Sequence, residues 1–204
     1  MNKFFLYKLT IDNGGAPCVT PDLLTLAICK PMVRSAADLR DWIFGFMDNP
    51  GENKLIYIAE VTGKMVGGAY YGTKAFESRR DCIYNWTAGN RLELKCNPRF
   101  HGEDDDRKKD LGAHPDYRNA NVLMSTNFRY FGSVKCKVQV PRNVTAYIKS
   151  IGEGHRSAAL QPFKPTLRTF LDAVWDTYST KKKLGQPLHP GNHTKCHGGH
   201  YKTC

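Results

Sequence analysis

Alternation of apolar and polar positions predicts strands along the first two thirds of the chain. The run FFLYKLTID, within residues 3–12, ends at a glycine-rich break. DWIFGF (residues 41–46) and KLIYIAEVT (residues 54–62) follow, with the turn signal MDNPGEN between them. DCIYNW and RLELKC are typical of a hairpin, and NVLMSTNFRYFG and KCKVQV predict further strands. Several short strands of this kind indicate a sheet-rich domain.

Helical periodicity is clearest in residues 165–180. The apolar side chains there recur at the spacing of one helix face, and Pro165 suits a first turn. The stripe consists of Leu167, Phe170, Leu171, Val174, Trp175 and Tyr178. A short helix is predicted for residues 141–150 and one helical turn for residues 35–40. The run LTLAIC before Pro31 predicts a strand or one helical turn.

The long polar segment at residues 97–119 contains HGEDDDRKKD and is predicted to be a loop. Together these elements predict an α+β fold. We expect a mixed, partly barrel-like sheet with flanking helices and a C-terminal amphipathic helix. The predicted domain covers residues 1–180, and residues 181–204 form a basic tail rich in His and Cys.

The formal net charge of +11 favours a polyanionic partner such as a nucleotide or a nucleic acid. The alternative is a basic surface with no role in nucleic-acid binding. The seven cysteines are an odd number without a tight pairing pattern, so we expect reduced and mostly buried thiols. No apolar run is long enough for a transmembrane helix, and Lys8 and Asp12 interrupt the first apolar run. A cytoplasmic protein is therefore expected.

The tail carries a candidate zinc site. Zinc in proteins prefers four nitrogen or sulfur ligands in a tetrahedron, and the short spacings in this segment are compatible with that geometry. The predicted ligands are His189, His193, Cys196 and His200. The alternative is a basic tail without metal that in part contacts nucleic acid.

Two loops combine histidine with arginine. In GEGHRS, His155 could act as a general acid or base and Arg156 could bind phosphate in a bidentate manner. In HPDYR, His114 and Arg118 form a second pair, and His101 lies in the same polar segment. These residues suggest a cleft that recognises a phosphate or a base, with His155 and His114 as the catalytic candidates. The alternative is a set of surface loop residues.

The loop NGGAPC after the first predicted strand is a third candidate. Gly14 and Gly15 would let the backbone approach a ligand closely. Cys18 would be a nucleophile if a neighbouring base lowered its pKa. The other interpretation is that Cys18 packs beneath the loop as a small apolar residue.

Several of these segments together resemble the second nucleotide modification associated domain family of bacteria and phages. The resemblance extends over roughly residues 3–160, and its motifs are LTIDNGGAPC, LLTLAICKPMVRSAADLRDWIFGF, LIYIAEVT, NVLMSTNFRYFG and GEGHRS. It implies a part in systems that make or handle modified DNA bases. The strand DWIFGF departs from the family pattern, because Arg40 stands where a glycine usually precedes the aspartate.

The order of the segments also resembles PUA-related barrels such as the ASCH and EVE domains, which bind modified bases or RNA in an aromatic-lined pocket. This likeness of fold implies a pocket lined by Trp42, Tyr57 and the loop at residues 14–18. Aromatic stacking would accept any base, and a few polar contacts would select the modification. The alternative for Trp42 is a place in the core.

The main functional hypothesis is a protein that binds a nucleotide or a modified base. The recognition candidates are Arg34, His114, Arg118, Tyr130, His155 and Arg156. One alternative is an enzyme that acts on nucleotides or DNA bases, although the sequence shows no phosphate-binding loop, dinucleotide fingerprint, zinc-deaminase motif or catalytic triad motif. Another alternative is a factor that sequesters a signalling nucleotide or acts through a protein partner.

Overall fold

The computed structural model describes residues 2–48, 53–95, 100–101, 103–151, 155–156 and 162–191, with the backbone alone at 155–156. The strands are β1 (Phe4–Leu9), β2 (Cys18–Val19), β3 (Leu24–Leu26), β4 (Trp42–Met47), β5 (Leu55–Glu60), β6 (Gly63–Met65), β7 (Tyr84–Trp86), β8 (Leu92–Leu94), β9 (Val122–Ser125), β10 (Asn127–Tyr130) and β11 (His155–Arg156). The α-helices are α1 (Pro31–Ala36), α2 (Asp104–Leu111), α3 (Arg142–Ser150) and α4 (Lys164–Thr177), and two 3-10 turns lie at Ala69–Gly72 and Lys74–Phe76.

The central sheet has five strands in the order β10-β5-β4-β1-β11. Its neighbours pair antiparallel except β1 and β4, which run parallel because the chain crosses over through β2, β3 and α1 between them. A four-stranded sheet has the order β2-β3-β9-β6, and β7 pairs with β8 as the predicted hairpin. The α+β class is confirmed. Within the described part of the chain the sheets do not close into a barrel, so the barrel-like arrangement is unconfirmed.

The two faces of the central sheet belong to different cores. In β1, Phe4 and Leu6 pack with α3 and α4, whereas Phe5, Tyr7 and Leu9 pack toward the four-stranded sheet. This division is the expected result of the two-residue period of a strand. We call the first side the helical face and the second the polar face.

Gly45 of β4 shapes the polar face. Tyr57 lies opposite Gly45 in the register of β4 and β5, and its ring occupies the space that a Cβ at position 45 would need. Tyr57 can therefore lie flat across β4 and reach β1, where its hydroxyl is 2.6 Å from the hydroxyl of Tyr7. A glycine here provides space for an aromatic ring rather than freedom of the backbone.

Most predicted elements are present, and three differ. The short helix α1 occupies Pro31–Ala36 instead of residues 35–40, because Pro31 fits a first turn. Residues 135–140 alternate between exposed and half-buried side chains as predicted, but they form no strand because their backbone joins no ladder. The third difference is α2, which lies inside the predicted loop at residues 97–119.

Charge rather than an apolar stripe supports α2. Three aspartates occupy its first turn and two lysines its last turn, where each interacts favourably with the helix dipole. Ion pairs with a spacing of three residues join Arg107 to Asp104 at 3.1 Å and Lys108 to Asp105 at 4.0 Å. Since periodicity of apolar residues is the usual signal for a helix, a helix held in this way escapes detection.

Residues 182–189 follow α4 and lie beside β10. The backbone N–H of Tyr130 donates to the carbonyl of Lys182 at 2.8 Å, and that of Leu184 donates to the carbonyl of Tyr130 at 2.8 Å. At the end of this segment, the N–H of Leu188 donates to Oδ2 of Asp12 at 3.0 Å. None of the described helices has the length and apolar character required to cross a membrane.

Candidate active site

Cys29 lies in the turn that connects β3 to α1. Its φ of 58° and the φ of 45° at Lys30 place both residues in the left-handed region, which costs a non-glycine residue about 1–2 kcal/mol. The turn follows a buried strand and precedes a helix, an arrangement that presents a side chain at a strand end. Cys29 as a whole residue is half-buried.

His101 and Asp110 complete a line of three side chains with Cys29. Sγ of Cys29 lies 3.1 Å from Nε2 of His101, and Nδ1 of the same ring lies 2.5 Å from Oδ2 of Asp110. His101 and Asp110 are buried, at 3% and 0% exposure. A thiol, a buried imidazole and a buried carboxylate in this order form the geometry of a Cys-His-Asp triad.

Asp110 is held by several groups at once. The hydroxyl of Tyr84 donates to its Oδ2 at 3.0 Å, and the backbone N–H of Cys29 donates to its Oδ1 at 2.9 Å. Since the N–H of Cys29 is used in this way, it does not serve as a donor to a bound oxyanion. This hydrogen bond instead fixes the turn that carries Cys29 relative to the carboxylate of Asp110.

Arg34 connects the segments that form this site through hydrogen bonds to their backbone carbonyls. Its guanidinium donates to the carbonyl of Cys29 at 2.7 Å and to the carbonyl of Asp110 at 3.1 Å. It also donates to the carbonyls of Asn119 and Asn121 at 2.5 and 2.6 Å, and it lies 3.6 Å from the Asp110 carboxylate. Arg34 is fully buried. The sequence-based assignment of Arg34 to ligand recognition is therefore wrong, because protein groups use its donors.

The electrostatics of the triad favour a charged imidazole. Burial opposes protonation of His101, but the charges of Asp110 and Cys29 and the hydrogen bonds to both groups outweigh it. The net result raises the pKa of His101 well above its ordinary value. A protonated imidazole next to sulfur stabilises negative charge on that sulfur. The arrangement therefore places an imidazole that favours its charged form next to the sulfur of Cys29.

The polar face also carries two tyrosines, Tyr7 and Tyr57, that are hydrogen-bonded to each other. The ammonium of Lys30 lies 5.2 Å from the centre of the Tyr7 ring. Burial is the largest cause that raises the pKa values of both tyrosines, that of Tyr7 well above its ordinary value. Both hydroxyls therefore stay protonated at neutral pH and act as neutral hydrogen-bonding groups.

A basic cavity of about 200 Å³ lies on the other side of the loop at residues 13–15. Its walls are Gly14, Pro17, Cys18, Val19, Thr20, Ser78, Arg79, Arg80, Tyr130, Lys183, Gln186 and Pro187. The ring of Phe100 lies within 3.0 Å of the position that a Cβ of Gly15 would occupy, and the Arg80 guanidinium is 5.9 Å from the centre of that ring. Because Phe100 precedes His101 directly, the loop that borders this cavity contacts the neighbour of a triad residue.

The cavity brings together three residues that were predicted from sequence. Gly14, Cys18 and Tyr130 all line it, and Gly15 is adjacent. Tyr130 is only 1% exposed, and its hydroxyl donates to the Asp12 carboxylate at 2.8 Å. Burial, then the charge of Asp81, raises the pKa of Cys18 to about 12. The nucleophile interpretation of Cys18 is therefore wrong, since its thiol stays protonated, and Cys18 instead packs as a buried side chain.

Trp42 lies on the helical face. It is 6% exposed, and its ring meets Trp175 edge to face at 5.1 Å. Cys29 and the basic cavity adjoin the polar face, across the sheet from this tryptophan pair. The predicted place of Trp42 in a pocket with Tyr57 is therefore wrong, and its alternative place in the core is the observed one.

His114 and Arg118 lie apart from the triad. Both are exposed, His114 meets Tyr117 edge to face at 5.6 Å, and Arg118 pairs with Asp116 at 3.2 Å. The structure gives His114 no acid or base partner among the described residues. His155 and Arg156 pair with Tyr7 and Leu6 through the backbone of β11, and their side chains lie outside the described residues.

Of the four predicted zinc ligands, only His189 is described. Its Nδ1 accepts the N–H of Asp12 at 3.2 Å, and its own N–H donates to the Asp12 carbonyl at 2.8 Å. His193, Cys196 and His200 lie outside the described residues, so the zinc site stays a prediction. Within the described part of the chain, no group of three His, Cys, Asp or Glu side chains is placed to hold a metal ion.

Comparison with known protein families identifies the family of this chain. Residues 1–190 match the family described as nucleotide modification associated domain 2, and the chain belongs to that family. The match extends past α4 and includes His189, while His193, Cys196 and His200 lie beyond it. Comparison with curated proteins and with solved structures gives no significant match.

Sequence reasoning missed two members of the triad and undervalued the third. Cys29 was one of seven cysteines, Asp110 was part of a charged run, and His101 was only an accessory to the loop histidines. The available signal was the position of Cys29, at the end of a buried apolar run and directly before the helix-starting Pro31. The spacing of 72 residues between Cys29 and His101 carries no such signal.

Proposed function

We propose that this protein is a cysteine-dependent transferase or hydrolase that acts on a nucleotide or a modified base. Cys29 is the nucleophile, His101 is the general acid and base, and Asp110 orients His101. The observation that carries this proposal is the contact of 3.1 Å between Sγ and Nε2, backed by the contact of 2.5 Å between Nδ1 and Oδ2. Burial of His101 and Asp110 supports the same assignment.

The proposed reaction is acyl transfer through a thioester. Sγ of Cys29 attacks the carbonyl carbon of an amide or ester, and the leaving amine or alcohol takes a proton from Nε2 of His101. Water or another acceptor then attacks the thioester carbon and gives its proton back to Nε2. The thiolate of Cys29 departs, so the enzyme returns to its first state without an oxidant or a metal.

The substrate class follows from other features. Membership in a nucleotide modification associated family supports a nucleotide or a DNA base as the molecule acted on. The net charge of +11 supports an anionic substrate, and so does the basic cavity beside the triad. These features would also serve a protein that binds a nucleotide or a modified base without turning it over. The basic cavity favours that second candidate function, which needs no contribution from Cys29.

A comparison of two half-buried cysteines tests the nucleophile. Cys136 lies near the helical face beside Tyr178, and it lacks a histidine partner among the described residues. In a pulse of iodoacetamide at neutral pH, we expect Cys29 to be alkylated at least about tenfold faster than Cys136, because only Cys29 faces a protonated imidazole. Peptide mass spectrometry measures both rates in one sample, and Cys18 should remain unlabelled.

A substrate panel then tests turnover. Nucleotides and deoxynucleosides with amide or ester groups on the base are incubated with the native protein, Cys29→Ser and Cys136→Ser. We expect a new product and an acyl adduct on Cys29 in the native protein and in Cys136→Ser, and neither in Cys29→Ser. Equal product formation by Cys29→Ser would overturn the enzymatic proposal. Retention of an unaltered ligand by all three proteins would favour the binding protein.

A further inference from the structure

We infer that the basic cavity is a phosphate-binding subsite in which Arg80 and Lys183 hold the anion. The inference rests on the proposed function in one respect, because the phosphate would belong to the substrate of Cys29. The cavity is smaller than the 300–1,000 Å³ of a typical ligand pocket, at about 200 Å³. This volume suits one small charged group rather than a whole nucleotide.

The charges around the cavity are of one sign. Among the described residues that line it, three are cationic and none carries a carboxylate. Arg79 already has protein partners, since it donates to the carbonyl of Cys18 at 2.9 Å and to the hydroxyl of Thr25 at 2.8 Å, and it lies 3.6 Å from the buried Asp81. Arg79 therefore fixes the wall of the cavity, and its charge is balanced within the protein.

Arg80 and Lys183 differ from Arg79 in their partners. Within the described part of the chain neither of them forms an ion pair. Arg80 is exposed, and Lys183 is half-buried with a hydrogen bond of 3.4 Å to the carbonyl of Val19. Two cations without a carboxylate, in a concave site beside a reactive centre, match the chemistry that recognises phosphate.

Gly14 keeps the cavity open. Its φ of +87° is in the left-handed region, and a Cβ there would lie 3.4 Å from an Arg80 guanidinium nitrogen and 3.1 Å from Pro187. A side chain at this position would therefore strain the backbone and crowd the ring of Pro187. The opposite wall is the segment that contains Lys183 and Pro187, and its backbone is tied to β10. Lys183 is thus held on a segment that is fixed to the central sheet.

Pyrophosphate is the probe for this subsite, because it carries phosphoryl groups and no base. Binding is measured by calorimetry and by the ³¹P resonance at near-physiological ionic strength. We expect one site, about tenfold weaker in Arg80→Ala and about a hundredfold weaker in the double variant with Lys183→Ala. Lys181→Ala is the matched control, since Lys181 is exposed and does not line the cavity. It should bind within about twofold of the native protein.

An equal loss of binding in Lys181→Ala would indicate general attraction to a basic surface and overturn the subsite. Unchanged binding in Arg80→Ala would overturn it as well. Cys29→Ser should bind pyrophosphate like the native protein, so failure of the subsite and failure of the thiol chemistry are distinguishable. Thymidine monophosphate, thymidine and an oligothymidylate without terminal phosphate identify the source. Dependence on Arg80 for the monophosphate alone indicates a free nucleotide, and dependence for the oligonucleotide indicates a strand backbone.

Discussion

The two faces of the central sheet use the same strands for different purposes. The helical face packs Phe4, Phe44 and Ile58 against apolar side chains of α3 and α4. The polar face also buries apolar side chains, but it adjoins the buried charges of Arg34, His101 and Asp110. Because adjacent residues of a strand point to opposite sides, a rigid scaffold and a reactive site can be specified by one alternating sequence. Disruption of either face should therefore have separable consequences.

The largest expected effect is that of Asp110→Ala. Removal of this carboxylate leaves the buried Arg34 and His101 without their partner, and breaking a buried ion pair costs about 3–5 kcal/mol. Urea denaturation should show that loss, and alkylation of Cys29 should slow by at least about tenfold because His101 loses its orienting group.

Asp172→Ala is the control, because Asp172 is an exposed acid on α4, and its change in stability should stay within about 0.5 kcal/mol. Asp110→Asn keeps the size of the side chain, so its rate can be measured even if the alanine variant unfolds. A native alkylation rate in Asp110→Asn would contradict the role assigned to this carboxylate.

The next prediction tests whether the stability of the helical face and the reactivity of Cys29 are independent. Leu171 is 2% exposed in the core of the helical face, so Leu171→Ala should lower the free energy of unfolding by about 2–5 kcal/mol. The alkylation rate of Cys29 should stay within about twofold when both proteins are folded, because the triad lies across the sheet. Leu39→Ala, at a position 60% exposed, should change neither quantity. A slowed Cys29 in Leu171→Ala would show that the faces are coupled.

The smallest effect concerns Asp12, whose carboxylate accepts hydrogen bonds from Tyr130 and Leu188. Burial is the largest influence on its carboxyl group and raises the pKa above the usual value, although the bonds from Leu188 and Tyr130 oppose it. The folded state therefore binds a proton more readily than the unfolded state, so this group stabilises the fold as pH falls through its raised pKa. In Asp12→Asn that contribution is lost.

The expected result is a difference in stability between native protein and Asp12→Asn that depends on pH below neutrality. Urea denaturation at several pH values measures it, and the native protein should gain relative to the variant as the pH is lowered. Glu93 is exposed, so Glu93→Gln serves as the control and should give a flat difference. A flat difference in Asp12→Asn would show that its carboxyl group titrates as in the unfolded chain.

Local patterns predicted the scaffold well, and the reasons are visible in particular elements. β1, β4 and β5 are short apolar runs that are buried on both faces, and α4 has an apolar stripe, so each carries its own signal within a few residues. α2 has no such stripe, and its ion pairs support a helix that periodicity does not reveal. Residues 135–140 have the alternation of a strand, but a ladder also needs a neighbour that the local sequence does not specify.

The candidate site could not be predicted in the same way. Arg34 is of a residue type that commonly binds phosphate. Only its buried position shows that it binds backbone carbonyls instead. Cys18 follows a pair of glycines and therefore has a stronger local signal for a ligand loop than Cys29. Burial nevertheless keeps the thiol of Cys18 protonated. Which of several cysteines meets a histidine depends on packing between distant segments.

The sequence by itself determined the α+β class, the positions of the main strands along the chain, the C-terminal helix, the basic character and the family. These properties follow from composition, from local periodicity and from motifs that are continuous along the chain. The tertiary structure alone decided that Cys29, His101 and Asp110 meet, and that Arg80 and Lys183 line one cavity. The physical reason is that reactivity depends on distances of about 3 Å between side chains, and folding sets those distances between segments that the sequence keeps far apart.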